Sequence, residues 1–238
     1  LNIPFGKSIS GDLQYANLAD FPHMLVSGTT GSGKSIFIHS TILTLLMRNK
    51  PEELKLMLID PKKVEMNYYE DIPHLLCPII SDVSKTYIAL QKLVDEMERR
   101  YNLFQANRVR DIKGFNVFAK NHDLQPLPYI VVFIDEYADL VDTCKEIREP
   151  VVRIAQKARA AGIDLVIATQ RPSVNVIDGV IKANVSVRVA LMSASYTDSQ
   201  TIIGEGGAEK LLGNGDMLIE CSLISRSSKP RVQGCFVS

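Results

Sequence analysis

Short apolar runs and helical apolar stripes alternate along this chain. Met24 to Val26, Leu54 to Ile59, Tyr129 to Ile134 and Leu165 to Thr169 are largely apolar runs without the polar alternation of a half-exposed strand. They read as strands buried on both faces of a parallel sheet. Val187 to Leu191 and Met217 to Glu220 add strands, and Arg231 to Val237 another. Pro73 to Leu76 and Pro78 to Ile80 read as a further buried strand region. Between these lie helical patterns. Ile36, Ile38, Ile42, Leu43, Leu45 and Leu46 predict a helix apolar on most sides, ended by Asn49-Lys50-Pro51. From about Ser84 to Asn107, Leu90, Val94, Met97, Tyr101 and Phe104 recur at spacings of four and three, one core-facing stripe. Glu146 to Ala161 predicts a helix stopped by Gly162, with Arg153, Lys157 and Arg159 on it. Residues 1–21 read as an irregular lead-in with a hairpin around Ser10-Gly11-Asp12, and residues 120–127 as a polar loop. Strand and helix alternate without internal repeats, so the expected fold is α/β, one doubly wound domain with helices on both faces of a mostly parallel sheet.

The first strand runs directly into Gly28-Thr29-Thr30-Gly31-Ser32-Gly33-Lys34-Ser35, and a helix follows. This is the phosphate-binding P-loop in its confirming context, strand before and helix after. Its glycines let successive amides turn inward as an anion nest, and the helix adds its positive end. Lys34 supplies a point charge for the β- and γ-phosphates, and the Ser35 hydroxyl is the expected Mg2+ ligand. The expected ligands are ATP and Mg2+.

Composition narrows the picture. Hydrophobic residues make up 46 % of the 238 and charged residues 23 %, ordinary for a globular α/β protein. Lys+Arg and Asp+Glu both total 27, so nucleic-acid binding would need a local basic patch. No apolar run approaches the roughly 18 residues of a membrane span. The four cysteines are far apart with no C-x-x-C, which reads as reduced thiols, and His74 with Cys77 is a lone pair without the second pair that zinc needs. Without an initiator Met or signal peptide, the chain reads as a piece of a longer protein, with residues 1–21 leading into a single core domain at 22–238.

A second constellation lies at the carboxyl end of the strand Tyr129 to Ile134, where Asp135 and Glu136 follow. Open α/β sheets place ligand-facing residues at such ends. Asp135 is placed to hold the Mg2+ shell and Glu136 to orient or deprotonate an attacking water, as a Walker B pair; capping of the next helix is the alternative. Gln170, after Thr169, can read a γ-phosphate or simply be a satisfied loop residue. Lys62 and Glu65 are equally open between function and a solvated loop, and Arg108, Arg110 and Lys113 between phosphate contact and a solvated turn.

The stretch beginning Pro22-His23, together with Asp60-Pro61-Lys62, Pro73-His74-Leu75-Leu76, Glu96 to Tyr101, Asp135-Glu136, Ala155 to Gly162, Ala168 to Ser173, Val180 to Asn184, Gly206 to Gly213 and Val232-Gln233-Gly234, resembles the motor domain of the FtsK/SpoIIIE family of bacterial DNA translocases. The resemblance covers nearly the whole chain. It implies a RecA-like ATPase that assembles as a hexameric ring around double-stranded DNA, in chromosome segregation at division or in sporulation. It also implies a cytoplasmic motor in a longer protein anchored at the inner cell membrane. By resemblance Arg159 is the arginine finger reaching a neighbour's nucleotide, where the residue alone reads as a solvated helix-end cation. Gln170 is the polar sensor, and Lys182 lies in the first DNA-facing loop. Two features depart from the family: Tyr196 and Gln200 stand where a Lys and an Arg are usual, and the segment Asn121 to Leu127 is short. A conjugative DNA pump and a type VII secretion ATPase share this core. The run Asp60-Pro61-Lys62-Lys63, in place of the glycine-rich run of the secretion branch, favours DNA.

Overall fold

The apolar run Met24–Ser27 is buried at all four positions, and in the computed structural model it becomes the strand from which the nucleotide loop springs. The structure describes residues 1–21, 23–222, 224–225 and 229–237. Pro22 and Ser238, at the two ends of the expected motor core, lie outside them. In chain order the first elements are β1 (Asn2–Ser8), β2 (Leu13–Asn17), β3 (Met24–Ser27), α1 (Lys34–Arg48), β4 (Leu54–Ile59) and α2 (Val83–Ala106). Then come α3 (Ile112–Asn121), β5 (Tyr129–Ile134), α4 (Tyr137–Thr143), α5 (Arg148–Lys157) and β6 (Ile163–Thr169). The last are α6 (Gly179–Asn184), β7 (Val187–Leu191), α7 (Tyr196–Ile203), β8 (Asp216–Glu220) and β9 (Arg231–Gln233).

The chain forms two compact units: Leu1–Arg48, Glu136–Ala138 and Val166–Ser238 make the first, and Asn49–Asp135 with Asp139–Leu165 the second. In the first unit β3 pairs in parallel with β6 on one side (Met24 opposite Val166) and β7 on the other (Met24 opposite Val187). Antiparallel pairing then continues from β7 to β8, β9, β1 and β2. The lead-in is therefore not irregular. Its predicted hairpin is there, closed by Ser8 and Asp12, and β1 lays Phe5 on Phe37 of α1 with ring centroids 6.0 Å apart. That aromatic contact ties the hairpin to the helix that follows the nucleotide loop.

In the second unit β4 and β5 pair in parallel from Leu54–Tyr129 to Ile59–Ile134. Along α2 the predicted stripe buries Leu90, Val94, Met97 and Phe104. Arg100 lies buried on the same helix, its guanidinium donating to Glu96 Oε1 and to the Ala161 carbonyl, both at 2.8 Å. Burying a cation is tolerated only with such partners. Three expectations are corrected here. Residues 73–80 do not form a strand: only Leu75 and Ile80 bridge β4, and Leu76 between them is exposed. The prolines at 73 and 78 lack the amides that a continuous ladder needs. Arg108, Arg110 and Lys113 do not form one turn, because α3 starts at Ile112 under an Asp111 cap that accepts from Gly114 N at 2.8 Å. Its Ile112, Phe115 and Ala119 pack with Phe104 in a small apolar cluster. Finally α5 ends at Lys157, so Arg159 stands in the turn beyond it. That turn closes through Gly162 N to Arg159 O and Ile163 N to Ala158 O, with Gly162 at φ +71, the left-handed stop of a helix end. In the first unit, β9 stops at Gln233 rather than at Val237.

Candidate functional site

The loop after β3 is fixed mostly by backbone hydrogen bonds. Thr29 N and Thr29 Oγ1 both donate to the Met192 carbonyl, at 2.9 and 3.0 Å. Ser32 N donates to Thr29 O, Asn214 N to Gly31 O, Gly215 N to Ser32 O, and Phe37 N to Gly33 O. These bonds occupy the Thr29, Gly31, Ser32 and Gly33 carbonyls internally, so fewer acceptors are left to oppose an anion. Gly33 sits at φ +95, and a Cβ there would run into the Gly215 amide, with the Gly215 Cα at 2.8 Å. Lys34 begins α1 and is buried, with Ser35 following it at the helix start. Ser32 is also buried, and among the described residues its hydroxyl has no hydrogen-bond partner. A buried hydroxyl left without a partner in a glycine-rich loop at a helix N-terminus fits a polyphosphate.

Beside this loop in the first unit stands Glu136. It is buried and held at φ +48, a left-handed conformation uncommon outside glycine and found where geometry is over-determined. Its Oε1 accepts the Thr169 hydroxyl at 3.0 Å and the Gln170 amide at 3.2 Å. The Gln170 side-chain carbonyl in turn accepts from the Thr30 hydroxyl at 3.5 Å. Thr30, Gln170 and Glu136 are thus joined by hydrogen bonds. Sequence reasoning singled out Gln170 and passed over Thr169, whose only signal is a hydroxyl at the carboxyl end of a buried strand.

The remaining candidates are placed as follows. In the second unit Asp135 directly follows β5 and is buried, its amide donating to the Ile59 carbonyl. Asp60, at the end of β4, is fully buried and accepts four backbone amides: Lys62 and Lys63 on Oδ1, Glu65 and Met66 on Oδ2, at 2.9–3.1 Å. It organises the loop that carries Lys62 and Glu65, while Lys62 pairs with Asp139 at 3.0 Å on the surface, where such pairs contribute little. Arg159 is exposed. Its charge acts on Asp164, the second residue of β6, which burial pushes up to about 8 against the opposing pull of Arg159.

That shift has a signed consequence. The folded Asp164 holds its proton more tightly than the unfolded chain does, so stability declines as pH rises from about 4 towards about 8. Asp164→Asn, neutral at every pH, should flatten that decline and leave the variant the more stable protein above pH 8. Thermal melting between pH 5 and 9 checks this, and parallel pH profiles for the two proteins would refute it.

In the first unit Lys182 lies half-buried on α6, which is capped by Asp178 accepting from Val180 N and Ile181 N, both at 2.9 Å. The Lys182 carbonyl accepts from Arg188, whose guanidinium also pairs with Glu220 at 3.1 Å. Tyr196 and Gln200 are both exposed on α7, the Tyr196 ring lying against Gly206.

Fold and loop define a nucleotide-binding α/β protein of the P-loop class. Among known proteins, the FtsK/SpoIIIE family matches residues 1–174. Proteins named DNA translocase FtsK are 52 % identical over 246 residues in Bacillus cereus and 53 % over 245 in Staphylococcus aureus. Each alignment covers 100 % of this chain but 31 % of the relative, so the chain spans about a third of those proteins. Among solved structures, the pCW3 conjugation coupling protein TcpA with ATPγS superposes with a TM-score of 0.86 at 26 % identity, covering all of this chain and 66 % of that one. The type VII secretion ATPase EccC of Thermomonospora curvata gives 0.89 at 23 % identity over all of this chain and 29 % of its own, a likeness of fold. The chain belongs to the FtsK/SpoIIIE family. Among the described residues no helix is long and apolar enough to cross a membrane.

Proposed function

We propose that this chain is the ATP-hydrolysing motor of a double-stranded DNA translocase. The observation that carries the hydrolytic part is the hydrogen-bonded link from Thr30 of the phosphate loop through Gln170 to the Glu136 carboxylate. DNA as the cargo is supported by the 52 % identity, along the whole chain, to proteins named DNA translocase. In this reading Lys34 neutralises the β- and γ-phosphates, and Ser35 with Asp135 would hold Mg2+, which supplies charge neutralisation when bound. Glu136 orients or deprotonates the attacking water. Gln170 senses the γ-phosphate. Arg159, exposed in its turn, serves the nucleotide of the next subunit in a hexameric ring, an arrangement in which hydrolysis waits for assembly. The motor comprises residues 22–238 with 1–21 as its lead-in, within a longer membrane-anchored protein acting in chromosome partition. Transfer of DNA in conjugation is a second reading, supported by the likeness to TcpA.

Grip on DNA is electrostatic, each phosphate contact adding about 0.9 to the logarithmic salt slope. With Tyr196 and Gln200 lacking charge, Lys182 carries an unusually large share of it. Lys182→Ala should weaken duplex binding and flatten its salt dependence, while Tyr196→Lys with Gln200→Arg should do the reverse. DNA affinity and DNA-stimulated ATP hydrolysis across a salt series test both. Affinity and slope unmoved by Lys182→Ala would transfer the grip to other cations. Duplex DNA that neither binds nor stimulates hydrolysis would remove DNA as the substrate.

A further inference from the structure

We infer that Thr169 is the positioning residue that aims Glu136 at the attacking water. The inference rests on the reading of Glu136 as the water-activating acid, and adds a residue to which no role has been given. Thr169 is the last residue of β6 and is fully buried. Its hydroxyl has one proton to give, and the surrounding backbone decides where it goes. Arg171 N donates to Thr169 Oγ1 at 3.1 Å and so occupies a lone pair. The hydroxyl proton is left for Glu136 Oε1 at 3.0 Å. The Gln170 amide reaches the same oxygen at 3.2 Å, so two donors from consecutive residues converge on one carboxylate oxygen.

Two donors from different directions hold a carboxylate oxygen in place more firmly than a single bond does. The need for such fixing is visible in the backbone. At φ +48 Glu136 occupies a conformation that costs energy for a non-glycine residue, and the Thr169 and Gln170 bonds hold it there. Activation of a water is sensitive to such aim, since the base must sit within hydrogen-bond reach of the proton it takes. Thr169 itself touches neither water nor nucleotide in this scheme; it acts through Glu136.

Thr169→Val preserves shape and removes the hydroxyl. The assembled motor carrying it should hydrolyse ATP about 10- to 100-fold more slowly in single turnover, the worth of one hydrogen bond to a charged group. ATP affinity should stay within about twofold, because the phosphate loop is untouched. Thr169→Ser restores the donor and should recover most of the rate. Combining Thr169→Val with Glu136→Gln should slow hydrolysis no further than Glu136→Gln alone, since the two act as one unit. Full additivity, or a normal rate in Thr169→Val while Glu136→Gln is inactive, would overturn the inference. A normal rate in Glu136→Gln would instead overturn the role of Glu136 itself. Should Thr169→Val fail to fold, the decision passes to Thr169→Ser, where a rate as low as that of Glu136→Gln in a protein with normal ATP affinity refutes the donor role.

Discussion

Glu136→Gln should bind ATP as tightly as the unaltered protein and hydrolyse it about a thousandfold more slowly. The amide is nearly isosteric with the carboxylate, and its carbonyl oxygen still accepts from the Thr169 hydroxyl and the Gln170 amide, so the side chain keeps its seat. What it loses is the capacity to accept a proton from water, a contribution typically worth 10²–10⁴ in rate. Lys34→Ala and Asp135→Ala, by contrast, should abolish turnover by removing phosphate charge and metal support. The separation of binding from turnover is therefore the signature of Glu136. Equilibrium binding of a fluorescent ATP analogue, alongside single-turnover hydrolysis, measures the two independently. Near-normal turnover in Glu136→Gln would assign water activation to another group.

Gly33→Ala should destroy nucleotide binding and lower stability together. A methyl group at this position meets the backbone of Gly215, and that backbone is not at liberty to withdraw, because Gly215 N is bonded to Ser32 O at 2.8 Å. The φ of +95 adds conformational strain of its own. Strain and overpacking together cost about 2–5 kcal/mol, which for a chain of this size lowers the melting temperature by roughly 4–20 °C. ATP affinity should fall by more than about a hundredfold, since relief of the clash must deform the loop. Gly11→Ala is the control. It has φ +90 at the hairpin tip, but nothing lies within 4 Å of the added methyl, so it should bear the conformational cost alone and bind ATP normally. Equal losses at the two sites would show that contact with Gly215 is immaterial.

The elements legible in the sequence are those whose pattern is local. β4 and β5 match the apolar runs at Leu54–Ile59 and Tyr129–Ile134, and α2 lies within one residue of its predicted span, because a run or a stripe needs only its own residues to be seen. The phosphate loop is legible for the same reason, since its glycines and Lys34 are contiguous. What escaped depends on distant partners. The hairpin around Gly11 was visible, but its place in the sheet was not, because β9 and Phe37, which hold it, lie far from it in sequence. Residues 73–80 carry a strand's hydrophobicity but, with prolines at 73 and 78, only single bridges result. α3 hid behind a basic cluster because Gly114 and Asp111 look like turn residues, although Asp111 is the cap. At the site, the donors converging on Glu136 come from 33 and 34 residues further along the chain. The four bonds that Asp60 accepts were likewise invisible, since their donors are backbone amides of any sequence.

The placement of β3 also bears on how the protein is made. Both of its parallel neighbours, β6 and β7, lie far downstream, and Thr29 is fastened to Met192, 163 residues along. At ribosomal rates of about 5–20 residues per second, that interval lasts on the order of ten seconds or more. Until β6 emerges, Met24, Leu25 and Val26 lack a parallel neighbour, and Gly33 waits longer still for Gly215. The second unit, drawn entirely from within residues 49–165, has its strands β4 and β5 in hand well before then. Within this chain, the segment that binds nucleotide is thus translated well before both strands that flank it.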